Sequence, residues 1–188
     1  MIVYLHGFNS SPQSAKAQYL KRCLEERGEG GKYACPRLPH WPNLAVAAAE
    51  AEIRRRPREQ VTLVGSSLGG FYATWLAEKH SLRAVLVNPA IEPHVGLRAY
   101  LGPQQPYHGG EAYELTERHL QEWRELCVAT LHPERYLLLV ETGDEVLDYR
   151  LAVRKYAGAK QVVVQGGDHS LASFPEHVPL ILAFAGMA

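Results

Sequence analysis

The sequence predicts an α/β domain built on a mostly parallel sheet of about six strands, with helices on both faces. Two observations carry that expectation: short, continuous apolar runs recur along the chain, and longer helix-like segments alternate with them. An unbroken apolar run is how a strand reads when both faces are covered, whereas a half-solvated strand alternates. Strand-then-helix repetition sets such strands side by side in one parallel sheet.

The elements follow in order. Ile2–Leu5 is the first apolar run and reads as a strand, followed by a helix over Ser14–Glu26. Tyr33–Cys35 is a shorter strand, and Leu44–Arg55 a helix. Val61–Val64 and Leu68–Glu78 form the next strand–helix pair, and Ala84–Val87 the fourth strand. Tyr136–Val140 and Gln161–Val164 are the last strands, with helices over Leu147–Tyr156 and Pro175–Phe184.

One segment breaks this rhythm. Ile91–Gly110 is rich in proline and glycine and has no clear period, and a helix-like piece, Ala112–Leu126, follows it. A connection this long is usually functional or disordered. After the carboxyl end of a parallel strand it would lie over the ligand crevice. Residues 91–126 are therefore expected to form a cap or lid inserted in a single domain spanning 1–188.

Composition narrows the function. The 188 residues suit one core, and 46% hydrophobic against 21% charged residues is ordinary for a globular protein that builds one. Twenty basic and twenty acidic side chains cancel, so no net field exists to hold a nucleic acid or an anionic membrane. The one cationic run, Arg54-Arg55-Arg56 with Arg58, follows Glu50 and Glu52 and reads as a solvated helix end. Cys23, Cys35 and Cys127 are scattered, which excludes a disulfide scaffold or a cysteine-rich zinc module. The N-terminus has no basic leader and no run reaches transmembrane length, so a cytoplasmic protein without a membrane span is expected. The nine histidines form no HExxH set; neither a metal nor an organic cofactor is expected.

The strongest chemical signal is Gly65-Ser66-Ser67-Leu68-Gly69, preceded by the strand Val61–Val64 and continuing into an apolar helix. This G-x-S-x-G pattern suits a sharp strand-to-helix turn with Ser67 at its tip, where glycines leave room for the chain to double back. The helix start adds backbone N–H groups and a positive dipole end beside the hydroxyl. Serines at a helix start also serve as plain caps, so the motif alone leaves both readings open.

A serine needs a base, and the base an orienting acid. Asp144, Asp148 and Asp168 are the only aspartates. Asp144 follows the strand Tyr136–Val140, and His169 follows Gln161–Val164. Ser67, Asp144 and His169 thus each stand beyond the carboxyl end of a strand, in the order Ser, acid, His. Asp168 is a rival acid only in principle, because its neighbour's Nδ1 would be hard for it to reach. Tyr4-Leu5-His6-Gly7-Phe8 adds a strand followed by a His-Gly loop. The backbone N–H groups of Phe8 and Leu68 are the candidate oxyanion donors, and His6 reads as a brace for that loop. Tyr100, Leu101, Tyr107 and Tyr113 in the presumed cap, and Trp41 after the second strand, either border an acyl pocket or pack against their own surroundings.

Leu5-His6-Gly7-Phe8-Asn9-Ser10-Ser11-Pro12, Gly65-Ser66-Ser67-Leu68-Gly69-Gly70, Val87-Asn88-Pro89-Ala90 and Thr142-Gly143-Asp144-Glu145-Val146-Leu147-Asp148-Tyr149 together resemble the YqiA-like esterases. These small bacterial α/β-hydrolases are also grouped as UPF0227. The resemblance runs from Met1 to about Phe184. It implies a three-layer α/β-hydrolase fold that starts near the superfamily's third strand. It also implies hydrolysis of small-molecule acyl esters, with acyl-CoA thioesters as a further class, by Ser67 as nucleophile, Asp144 as acid and His169 as base. Two alternatives stand beside it: a non-catalytic small-ligand-binding protein on the same fold, and an acyltransferase or peptidase sharing the acyl-enzyme step. The oligomeric state is left open.

Overall fold

The computed structural model describes residues 1–57 and 60–187. Six parallel strands, β1 (Ile2–Leu5), β2 (Tyr33–Ala34), β3 (Thr62–Ser66), β4 (Arg83–Val87), β7 (Tyr136–Glu141) and β8 (Lys160–Val164), form one sheet in the order β2-β1-β3-β4-β7-β8. Two short antiparallel strands, β5 (Gly102–Gln104) and β6 (Tyr113–Leu115), form a separate hairpin.

The continuous apolar runs are explained by burial from both sides. Val3, Leu5, Leu63, Ala84, Leu86, Leu138 and Val140 belong to one core. Their strand neighbours Ile2, Tyr4, Val64, Val85, Val87, Leu137 and Leu139 belong to the other. Successive strand residues point to opposite faces, so most positions of a central strand are apolar, with Thr62, Ser66 and Glu141 as buried polar exceptions. Helices α1 (Ala15–Glu26) and α7 (Phe174–Phe184) supply Ala17, Leu20, Leu24, Val178 and Ile181 to one face. Helices α2 (Pro42–Ile53), α3 (Leu68–His80), α5 (Glu117–Glu125) and α6 (Tyr149–Lys155) cover the other. Each fully buried leucine of the sheet contributes about 1.5–3 kcal/mol.

The topology sets the site. From β1 the chain passes to β2 on one side and returns to β3 on the other, so the order switches between β1 and β3. Beyond the carboxyl ends of strands flanking such a switch lies an open crevice. In register, Leu5 lies opposite Gly65, and Ser66 opposite Val87. The loop after β1 and the turn after β3 therefore emerge side by side.

Several expectations shift. The segment expected as one helix from Ala112 divides: β6 occupies Tyr113–Leu115, and α5 begins only at Glu117. The cause is Thr116, extended at φ −122° and ψ 167°, in a capping box with His119. Helix α6 starts at Tyr149 rather than Leu147 because Asp148 caps it, accepting the Arg150 amide at 3.0 Å. Helix α2 ends at Ile53, leaving Arg54, Arg55 and Arg56 exposed beyond it, with Arg54 and Arg55 on Glu50 and Glu52; Arg58 of that cationic run lies outside the described residues. Residues 91–126 carry the short helix α4 (Pro93–Gly96), the β5–β6 hairpin and α5, and α5 packs on α4 and α2. Among the described residues no helix is long and apolar enough to cross a membrane.

Candidate active site

The turn after β3 is strained at one residue. Ser67 has φ 53° and ψ −120°, a backbone conformation that costs a side-chain-bearing residue about 1–3 kcal/mol. The surroundings enforce it: Ser67 N–H donates to the Val87 carbonyl at 3.0 Å, and Ala90 N–H to the Ser67 carbonyl at 3.0 Å. The flanking glycines are a steric requirement. A Cβ on Gly65 would stand 2.3 Å from the Gly69 carbonyl oxygen, and one on Gly69 would stand 2.0 Å from that of Leu5.

Ser67 occupies the N-cap position of α3, yet its hydroxyl caps nothing. It lies instead 3.1 Å from His169 Nε2. On the far side of the ring, His169 Nδ1 lies 2.8 Å from Asp144 Oδ2. The Asp144 side chain is only 1% exposed, and its Oδ1 accepts the amides of Val146 at 2.9 Å and Leu147 at 2.8 Å. With Oδ1 held, Oδ2 faces the imidazole. That contact favours the tautomer with a proton on Nδ1 and a lone pair on Nε2 towards Ser67. Asp168 turns away: its carboxylate accepts the Ser170 hydroxyl.

The loop that carries His169 has no regular structure between β8 and α7, so its backbone is held by side chains from elsewhere. Glu141, the buried last residue of β7, accepts the amides of Asp168 at 2.8 Å, Ala172 at 3.2 Å and Ser173 at 3.0 Å, and the Ser173 hydroxyl at 2.5 Å. Burial alone would raise its pKa, but these donors outweigh burial and hold it below the ordinary carboxylate value. Glu145 accepts the His169 amide at 3.0 Å, and Lys16 donates to the Ser170 carbonyl. Asn88, the residue just past β4, bonds the same loop. Sequence reasoning assigned no role to Glu141 or Asn88. The available signal was a polar residue closing an otherwise apolar, buried strand.

On the other side of Ser67, Gly7 comes close enough that a Cβ there would stand 3.3 Å from Ser67 Cβ. Phe8, the next residue, and Leu68 both border the cleft beside Ser67. His6 is buried behind this loop, accepting the Leu38 amide on Nε2 at 3.0 Å, with Nδ1 3.1 Å from the Gly7 carbonyl oxygen. Burial pushes its pKa down to about 4, so it is a neutral brace. The loop is also stitched to the hairpin: Tyr113 donates its hydroxyl to Asn9 Oδ1 at 2.6 Å, Asn9 Nδ2 donates to Gln104 at 2.9 Å, and Tyr107 N–H donates to the Asn9 carbonyl at 2.8 Å.

Ser67 and His169 open into a cleft of about 1210 Å³ whose walls include Ile91, Val95, Leu97, Val146, Leu151 and Leu171. Of the aromatic candidates, Tyr100 and Tyr107 line it, 50% and 73% exposed, with Tyr100 edge-on to Phe8 at 6.1 Å. Leu101 and Trp41 do not line it. Trp41 stacks on His119 at 3.8 Å, inside a cluster with His40 and Tyr113, because the chain after β2 turns under α5 rather than over the crevice. Among the described residues no three His, Cys, Asp or Glu side chains form a metal-holding group.

A six-stranded parallel sheet between helix layers, with a strained Ser67 at a strand-to-helix turn, defines an α/β-hydrolase fold. Mouse alpha/beta hydrolase domain-containing protein 10 matches it with a TM-score of 0.73 at 16% identity, over 98% of this chain and 89% of that one. The esterase domain of a Rhodothermus marinus protein matches with a TM-score of 0.67 at 18% identity, over 98% and 85%. Within that fold the chain belongs to the Uncharacterised protein family (UPF0227), which matches residues 1–186. A UPF0227 protein of Serratia proteamaculans (strain 568) is 22% identical over 186 residues, covering 98% of each chain.

Proposed function

We propose that the chain is a serine esterase that hydrolyses acyl esters through a covalent acyl-enzyme. One observation carries the reading: a serine hydroxyl at a helix start, unused as a cap, is hydrogen-bonded to an imidazole that a buried carboxylate orients. That is the nucleophile–base–orienter geometry of acyl transfer. The likeness to an esterase domain at the level of fold agrees with it.

His169 Nε2 takes the Ser67 proton as Oγ attacks the acyl carbonyl carbon. The oxyanion is held by the N–H groups of Phe8 and Leu68, at the junction where the loop after β1 meets the start of α3. Collapse of the tetrahedral species expels the alkoxide, which His169 protonates, leaving the acyl group on Ser67. Water then attacks, giving its proton to His169, and the second collapse releases the acid and restores the Ser67 hydroxyl. Asp144 keeps its negative charge throughout and stabilises the imidazolium.

The apolar walls of the cleft suit an uncharged acyl chain, with Tyr100 and Tyr107 at its mouth. Thioesters enter the same scheme, a thiolate leaving in place of the alkoxide. The free cysteines Cys23, Cys35 and Cys127 suit a reducing, cytoplasmic setting. Hydrolysis of p-nitrophenyl esters of graded acyl length by the wild type and Ser67→Ala tests the reading. The expected result is one preferred chain length, with activity lost in the variant by several orders of magnitude. A Ser67→Ala protein that still hydrolyses them would overturn it.

A further inference from the structure

We infer that Asn88 is the positioning residue for His169, tying the loop that carries the imidazole to the strand end that holds Ser67. The inference rests on the triad reading above and deepens it.

Asn88 directly follows β4, is 2% exposed, and has φ 39°. This left-handed conformation is rare for residues with a side chain, although asparagine tolerates it better than most. All the polar capacity of its amide except one lone pair is directed at neighbouring backbone. Oδ1 accepts the Glu141 N–H at 3.1 Å, and Nδ2 donates to the carbonyls of Asp168 at 3.1 Å and His169 at 3.2 Å. The first contact is on the last residue of β7, three positions before Asp144. The other two are on the base loop itself.

The residues flanking Asn88 hold the nucleophile. Val87 accepts the Ser67 N–H, and Ala90 donates to the Ser67 carbonyl. One four-residue segment, Val87–Ala90, therefore bonds the backbone of Ser67 through its main chain and the backbone of His169 through a side chain. With no regular structure in the base loop, this segment links the two reacting groups directly, besides their own hydrogen bond.

Only a primary amide fits those three contacts. The site presents one N–H donor and two carbonyl acceptors, which match one carbonyl and one NH₂. A carboxylate would set an anion against two carbonyl oxygens. An apolar residue would leave buried backbone groups without partners. The Nε2–Oγ contact is already 3.1 Å, so a loop shift of about 1 Å takes it out of hydrogen-bond range and would lower turnover about 100-fold.

The test compares Asn88→Gly, which accepts the left-handed backbone without strain and removes only the amide, with Asn88→Asp, which keeps the shape and reverses the polarity towards the carbonyls. For each, kcat and KM on a p-nitrophenyl ester are measured with the rate of Ser67 labelling by an organophosphonate, well below the melting temperature. Both variants should lose about 100-fold in kcat and in labelling rate, with KM within about twofold, since the cleft walls are untouched. Folded variants with wild-type kcat and labelling would overturn the inference, leaving Asn88 a purely structural residue. Failure of both variants to fold would also count against it, because the amide would then build the domain rather than place His169. Ser67→Ala separates the two levels: if it keeps its activity, the triad reading fails; if it is dead while Asn88→Gly is fully active, only the role of Asn88 fails.

Discussion

Gly7 and Ser67 meet across the gap between β1 and β3, with room for a Cβ on Gly7 only at 3.3 Å from Ser67 Cβ. The loop after one strand and the turn after its neighbour thereby close on the same small volume, where the proposed oxyanion forms.

The glycines around that volume should differ in what they tolerate. Gly7→Ala needs a neighbour to yield by a few tenths of an ångström, so a folded protein with a displaced Phe8 loop is expected. Losing one oxyanion donor's alignment costs about 10²–10³ in kcat. Gly69→Ala would drive a Cβ to 2.0 Å from the Leu5 carbonyl oxygen, which the strand cannot move aside. That variant should fail to accumulate as folded protein. Equal, near-wild-type activity in both would contradict the packing described.

The two aspartates beside His169, the proposed base, are distinguished by contact. Asp144 meets Nδ1 of His169, whereas the Asp168 carboxylate accepts the Ser170 hydroxyl. Asp144→Asn should lower kcat by about 10⁴-fold through the wrong imidazole tautomer. Asp168→Asn should stay within a few-fold of wild type. Steady-state kinetics of the pair decide this, and the reverse ranking would reassign the acid.

Acid should weaken the fold in two stages. His6 has its pKa pushed from 6.5 to about 4, so between those values the unfolded chain binds a proton that the folded one refuses. The stability due to neutral His6 is complete above pH 6.5 and is lost as pH falls towards 4, a loss on the order of 3 kcal/mol at 1.36 kcal/mol per unit. Glu141, held below 4.5, adds its loss at lower pH, when the carboxylate that ties down the base loop takes up a proton. Urea titrations from pH 4 to 8 should show a shallower pH slope for His6→Gln. Parallel slopes for wild type and variant would remove His6 from the account.

At the cleft mouth, Tyr107 is 73% exposed and reaches Asn9 through its backbone N–H, not its ring. Tyr107→Ala should keep that bond and leave phosphonate labelling of Ser67 unchanged. The same variant should raise KM several-fold for the longest esters accepted. An unchanged chain-length profile would place the acyl group elsewhere in the cleft.

The sheet was readable from sequence because burial on both faces writes the central strands as largely apolar runs, broken in β3 by Thr62. The strand ends came out within a residue or two for that reason. Ser67, Asp144 and His169, which the structure brings into contact and which the proposed mechanism uses, stood out as well, since each follows such a run and the chemistry restricts which residue types can serve. The hairpin at Gly102–Leu115 was not: its strands are three residues long and half exposed, so they carry no hydrophobic period. Trp41 misled for a related reason, because an aromatic side chain suits a pocket and a packed cluster equally and only the path of the chain under α5 separates them. Asn88 and Glu141 depended most on tertiary structure. Apart from the Ser173 hydroxyl on Glu141, their partners are backbone groups 53 to 81 and 27 to 32 positions away, and backbone groups leave no trace in the identity of the residues that own them. By itself, then, the sequence determined the strands and singled out the proposed reacting residues and their order. Folding decided which buried polar side chains hold those residues in place, because that depends on distances between segments that only the closed sheet brings together.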